Sequence, residues 1–235
     1  MRKSIFGMLI LAICGLTGCL NADSSNIQTS DVMPAVVSVN MESGRSTLTT
    51  TWGNILISPS SAASSLHDGD CVLTQVEVDW DNQPNLEQGY ITATKMNVSD
   101  KPIAKDAAEI ANEEPAPVDY TLPILEVGMT NYTLKNMYFV VISHHTFQNQ
   151  SVSYRMQLVK TNDYAYDAYL TAQSSDGTLT STVDTNTHVF EFPSDIFPEN
   201  PERLGENPSI TLTLKYYAGD TNVWNTLSSL KIYQH

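Results

Sequence analysis

The stretch His67-Asp68-Gly69-Asp70-Cys71-Val72-Leu73-Thr74-Gln75-Val76-Glu77-Val78-Asp79-Trp80 decides how the rest of the chain is read. Val72, Thr74, Val76, Val78 and Trp80 share one face of an extended segment, and Leu73, Gln75, Glu77 and Asp79 share the other. That period of two is the pattern of a half-buried strand, and the turn residues at 67–70 announce it. Upstream, residues 35–40, 46–52 and 54–58 carry similar short β-like runs, and downstream residues 89–98 carry another. Five strands are therefore expected between residues 34 and 98.

Residues 99–119 interrupt this pattern with Asp100, Lys101, Lys105, Asp106, Glu109, Glu113, Glu114 and Asp119 set among Pro102, Pro115 and Pro117. A domain boundary on a solvated acidic linker is expected here, with a short helix over 104–113 that Pro115 would end. From residue 120 the β pattern resumes at 122–127, 134–142, 152–158, 164–172, 179–183, 188–192, 210–217 and 227–233. Within it, Met137-Tyr138-Phe139-Val140-Val141-Ile142 is continuously apolar, as for a central strand covered on both faces. Seven or eight strands with turns such as Asp176-Gly177 suit an antiparallel β-sandwich over 120–235. No repeat of fixed period is present.

Composition narrows the function classes. The chain has 235 residues, a net charge of -14 and 41% hydrophobic residues, enough apolar content for a core and too acidic for a broad phosphate-binding face. Between residues 34 and 98 only Arg45 and Lys95 are cationic, against Glu42, Asp68, Asp70, Glu77, Asp79, Asp81 and Glu87. A groove for oligonucleotides needs a positive track, so nucleic acid is not an expected partner.

The N-terminus carries an address. Arg2 and Lys3 precede the apolar run 5–13, the layout of a secretory signal peptide over residues 1–18, and the run is too short to span a bilayer. Leu16-Thr17-Gly18-Cys19 resembles the lipobox of bacterial lipoproteins, which implies cleavage before Cys19 and acylation of that residue. The polar residues that follow read as a flexible tether over 19–33. Cys14 is lost with the signal, Cys19 is lipidated and Cys71 remains, so no intrachain disulfide is expected. Cys71, at the head of an apolar strand, reads as a buried, inert thiol.

The lipobox, the step Asp68-Gly69-Asp70-Cys71-Val72-Leu73, and the closing strands Ile210-Thr211-Leu212-Thr213-Leu214-Lys215-Tyr216-Tyr217 and Leu227-Ser228-Ser229-Leu230 together resemble the NigD-like lipoproteins. The resemblance implies an all-β protein with an N-terminal five-stranded OB-like barrel and a C-terminal β-sandwich. It also implies an outer-membrane lipoprotein, on the periplasmic or the surface-facing side. It supplies an address and a fold more than a mechanism, and Cys71 stands where that family usually has a basic residue.

Chemistry is sparsely signalled. Asp79-Trp80-Asp81-Asn82-Gln83-Pro84-Asn85 starts like a calcium loop, but Pro84 sits where Gly is needed and Tyr90 where a bidentate Glu is needed. Asp79, Asp81 and Asn85 keep a looser cation site open beside a plain polar turn. His144 and His145 would point to opposite faces of a strand and read as loop-tip residues, with no metal site expected. No G-x-S-x-G elbow or Gly-rich phosphate loop occurs, no cofactor is implied, and an enzyme is not the expected class. Tyr164, Tyr166, Tyr169 and Trp224 could form a platform for a sugar ring or a peptide, with ordinary packing as the alternative. The proline-rich loop at 197–208 is the other expected partner site. The expectation is a non-catalytic envelope lipoprotein, held to the membrane through lipidated Cys19, that binds a protein or glycan partner; a surface appendage subunit is a further alternative.

Overall fold

The computed structural model describes residues 26–40, 44–58, 65–99, 101–116, 121–147, 152–174, 179–198, 208–219 and 224–235. The strand that opened the reading is β5 (Cys71–Asp79), and a barrel closes around it from β1 (Ile27–Thr29), β2 (Met33–Asn40), β3 (Arg45–Thr50), β4 (Gly53–Leu56), β6 (Tyr90–Ile91) and β7 (Ala93–Val98). β2, β3 and β4 form an antiparallel meander, β4 pairs in parallel with β6, and β5 pairs antiparallel with both β7 and β2. Only Thr92 separates β6 from β7, so the two act as one fifth strand that completes the ring. Val72, Val76 and Val78 point inward against Ala35, Val37, Leu48, Ile55 and Ile91, the face the alternation selects.

β1 shortens the tether expected over 19–33. Residues 27–29 pair antiparallel with the end of β5, and Val76 donates its N–H to Ser30 Oγ at 3.0 Å. Their side chains carry little apolar pattern, and the backbone ladder holds them together with a bond from the Trp80 indole N–H to Gln28 Oε1.

The remaining strands build two facing sheets. They are β8 (Lys105–Ala107), β9 (Glu109–Ala111), β10 (Thr121–Leu122), β11 (Ile124–Met129), β12 (Tyr132–Thr133), β13 (Met137–Phe147), β14 (Val152–Asn162), β15 (Ala165–Ser174), β16 (Leu179–Glu191), β17 (Ser209–Tyr217), β18 (Trp224–Thr226) and β19 (Leu230–Gln234). One sheet has the order β11-β13-β16-β8; the other has β12-β19-β17-β15-β14-β9, with β10 added to β15 and β18 to β17. Tyr138, Val140 and Ile142 from the first sheet meet Met156, Leu158, Ala168, Leu170, Leu212 and Leu214 from the second in one core. The runs expected at 179–183 and 188–192 are a single long strand, β16.

The acidic segment is neither a helix nor a free linker. β8 pairs in parallel with β16, β9 pairs in parallel with β14, and between them Ala108 is buried and donates its N–H to the Glu191 carbonyl at 2.8 Å. This strap crosses from one sheet to the other while its charged side chains stay exposed. Helix propensity at 104–113 yields to tertiary pairing, which satisfies the backbone of two sheet edges at once.

Barrel and sandwich share a third apolar cluster. Val36 and Cys71 from the barrel pack with Tyr132, Leu134, Met137, Phe139 and Val189 from the sandwich. The apolar run of β13 is thereby explained: Tyr138, Val140 and Ile142 face the sandwich core, while Met137 and Phe139 face the barrel. Lys105 Nζ donates to the Gly69 carbonyl at 2.9 Å across the same joint, and Ile103 donates its N–H to the Cys71 carbonyl at 2.7 Å. Burial pushes the Cys71 thiol up to about 11, so it stays protonated and unreactive at neutral pH.

Candidate functional site

The sandwich contains two clusters of functional side chains. β13 leaves the joint at Met137 and reaches the far end at residue 147, and β17 runs the same way, from Ser209 beside β19 to Tyr217 beside β18.

The first cluster is aromatic. On β15, Tyr166, Ala168 and Leu170 alternate toward the core, so Asp167 and Tyr169 project from the outer face. On β17, Lys215 and Tyr217 project from that same face, because Leu212 and Leu214 point inward. β18 adds Trp224 opposite Tyr217. The Trp224 ring meets the Tyr169 ring edge-to-face at 5.0 Å and the Tyr217 ring at 6.3 Å. Lys215 Nζ lies 2.8 Å from Asp167 Oδ2, 3.1 Å from the Tyr169 hydroxyl and 5.0 Å from the centre of that ring. The Asp167 hydrogen bond, opposed by burial, raises the Lys215 ammonium to about 12, which keeps it charged. The Tyr169 hydroxyl also donates to Glu114 Oε2 at 3.1 Å, and burial pushes that phenol upward against the bond from Lys215. Gly219, two residues beyond β17, has φ +90, and a Cβ there would stand 2.5 Å from Pro123 Cγ, so only glycine allows this close approach.

Of the four aromatic residues singled out in the sequence, the fold brings Tyr169 and Trp224 together. Tyr166 is core-facing and 8% exposed. Tyr164 sits apart in the β14–β15 turn at 54% exposure. Edge-to-face rings make a compact corner with a fixed cation rather than a flat platform. The sequence reading missed Tyr217, Lys215 and Asp167, although the alternation of Leu212 and Leu214 already puts Lys215 and Tyr217 on the outer face.

The second cluster is polar and lies between the sheets. His144 is 2% exposed and inward-facing, two residues beyond Ile142, so it is a strand residue and not a loop tip. Its Nδ1 lies 2.8 Å from the His145 carbonyl, which can only accept, so Nδ1 carries a hydrogen, and Nε2 is hydrogen-bonded to the Tyr154 hydroxyl at 2.6 Å. The Tyr154 ring is also 4.8 Å from His188, whose Nε2 lies 3.0 Å from Asp106 Oδ2 on the strap. Burial lowers the His188 pKa against the opposing pull of Asp106. Burial raises Tyr154, and its hydrogen bond to Asn186 acts against that shift. These bonds satisfy polar groups at the end of an apolar core. Among the described residues, no three His, Cys, Asp or Glu side chains gather as a metal-ion set.

Elsewhere, Asp79 Oδ1 accepts the Asp81 N–H at 3.1 Å, and Asn85 Nδ2 donates to Thr92 Oγ1 at 3.0 Å, so these residues are engaged in turn bonds. Arg45, the first residue of β3, donates to Gln88 Oε1 at 2.8 Å and lies 5.9 Å from the Tyr90 ring centre. Cys19, the signal segment and most of the proline-rich loop lie outside the described residues; Ile196 and Phe197, just before that loop, are buried in the sandwich core.

A closed barrel whose fifth strand returns parallel to the third, followed by a two-sheet sandwich, defines an all-β protein of the OB-barrel-plus-sandwich class. The comparisons agree. Residues 24–99 match the family described as "Lipoprotein OB domain", so the barrel is similar to the OB domains of lipoproteins. The fold as a whole is similar to the crystal structure of an uncharacterized protein from Parabacteroides merdae, at 13% identity and a TM-score of 0.63, over 87% of this chain and 99% of that one. A protein of unknown function from Bacteroides vulgatus is similar at 11% identity and a TM-score of 0.51, over 85% of this chain and 89% of that one. Structural neighbours also include a NigD-like immunity protein from Bacteroides caccae, at 10% identity and a TM-score of 0.46, over 84% and 91% of the two chains. No curated protein matches the sequence. No described helix is long and apolar enough to cross a membrane.

Proposed function

We propose that this is a non-catalytic lipoprotein of the outer membrane, anchored through acylated Cys19, that binds a protein or ligand partner at the envelope. Residues 34–98 form its barrel unit and residues 120–235 its sandwich unit. The observation that carries the reading is the match of residues 24–99 to lipoprotein OB domains immediately behind Leu16-Thr17-Gly18-Cys19. Radiolabelled palmitate should enter the wild-type chain and not the Cys19→Ala variant; label retained by the variant would overturn the anchor.

The contact surface is the corner formed by Trp224, Tyr217 and Lys215. Half-buried aromatic rings beside a fixed cation are the side chains that lose least entropy on binding, and such groups dominate recognition surfaces. A glycan is the second reading, favoured by the Trp224 ring beside the Lys215–Asp167 pair, which could grip hydroxyl groups. Retardation of the protein in polysaccharide gels, lost in Trp224→Ala, would select the glycan; capture of one envelope protein by wild type and not by that variant would select a protein partner. Absence of both results would overturn the corner as the contact surface. The appendage alternative is separated by its product, since a subunit of that kind would polymerise on purification.

A further inference from the structure

The barrel has two distinct ends. β5 starts at Cys71, inside the joint with the sandwich, and finishes beside Trp80. Its eight residue steps correspond to about 26 Å of strand. The described chain begins at the Trp80 end, where Trp80 donates its N–H to the Asn26 carbonyl at 3.0 Å and Asn26 donates its N–H to Asp81 Oδ2 at 3.2 Å. Only six residues separate Cys19 from Asn26, seven residue steps with a covalent reach of at most about 25 Å.

This end also has the surface chemistry of a lipid interface. Trp52 and Trp80 are half-buried and lie 6.2 Å apart, and the indole N–H of Trp80 donates to Gln28 Oε1 at 3.1 Å. Ile27 and Leu86 are 48% and 50% exposed. Amphipathic indoles with neighbouring aliphatic side chains are the residues that favour the headgroup layer. Asp79, Asp81 and Glu87 around them suit ammonium-bearing headgroups and disfavour anionic ones.

We propose that the Trp80 end of the barrel rests on a zwitterionic, ammonium-bearing lipid surface and that the barrel acts as a spacer presenting the far end of the sandwich away from the membrane. This rests on Cys19 being the acylated residue. The chain has three tryptophans, two at the proposed contact and Trp224 in the sandwich, which makes the arrangement readable by fluorescence. The lipidated mature protein is reconstituted into phosphatidylethanolamine–phosphatidylcholine vesicles carrying a headgroup spin label. The Trp224→Phe variant, which keeps Trp52 and Trp80, should lose most of its emission, while the double variant Trp52→Phe/Trp80→Phe should keep nearly all of it.

Should the double variant fail to fold, an environment-sensitive dye on Asn82→Cys and on Asn225→Cys gives the same comparison, because buried Cys71 does not compete for label. A blue shift at position 82 alone is expected. Equal quenching or equal dye shifts at the two places, or stronger effects at Trp224 or position 225, would overturn the orientation. A mature N-terminal peptide whose mass lacks the lipid would overturn the anchor and the orientation together, whereas a lipidated protein with unquenched Trp52 and Trp80 overturns the orientation alone.

Discussion

The barrel and the sandwich solve the same edge problem in different ways. In the barrel, each of β2 to β5 finds partners within residues 33–98, and the broken strand β6–β7 closes the ring. The sandwich is open, and two of its edges are covered by β8 and β9, which come from the segment joining the two units. The barrel's order is therefore local, whereas the sandwich depends on a strap and on the apolar joint that fixes the strap's start. Phe139 and Phe190 separate these dependences, since one lies in the joint and the other in the sandwich core.

The largest expected effect tests that difference. Phe139→Ala should cost about 3–5 kcal/mol, the usual range for truncating a buried Phe. It should also divide one cooperative unfolding transition into two, while Phe190→Ala, of similar size, should lower the single transition without dividing it; calorimetry of both variants decides. Gly219→Ala should cost about 1–3 kcal/mol, because φ +90 and the Pro123 contact both oppose a Cβ, and it should leave the barrel untouched. Chemical denaturation followed at Trp224 reads it.

Acidification gives the next test. Burial lowers the folded pKa of His188 below its ordinary value of 6.5, so below that value the unfolded chain binds the proton more readily. The stabilising share of His188 is complete above pH 6.5 and is lost as the pH falls through the lowered folded value. Denaturant midpoints of wild type should drop over this window, and those of His188→Gln should drop less; equal slopes would show that His188 does not carry the effect. The smallest change is expected for Lys215→Met, about 1 kcal/mol or less, since its ion pair with Asp167 is partly solvated. A red shift of Trp224 emission would accompany it.

How much of this was legible in the sequence follows from what holds each part. β5 and β13 bury whole faces, and their apolar spacing announced them; the run 137–142 even signalled a double burial, by the sandwich core on one side and the barrel on the other. β1, β8 and β9 were illegible because they are three residues long and are held through backbone bonds to partners distant in sequence, with no apolar side-chain pattern. The site was half legible. Tyr169 and Trp224 were named, but aromatic content alone could not tell that Tyr166 points inward. His144 was misread because the strand was ended at Ile142, when continuing the same alternation by one step would have put the ring inside.

The strap has a practical consequence for dividing this molecule. A fragment starting at residue 120 would retain every residue of β13 to β19 and still present two bare ladders, along β16 and β14, that residues 105–111 normally occupy. Such a fragment is prone to pair with its own copies. A cut just before Ile103 keeps those seven residues with the sheets they seal, at the cost of uncovering Cys71, so any thiol label taken up there would report how far the two halves can be parted.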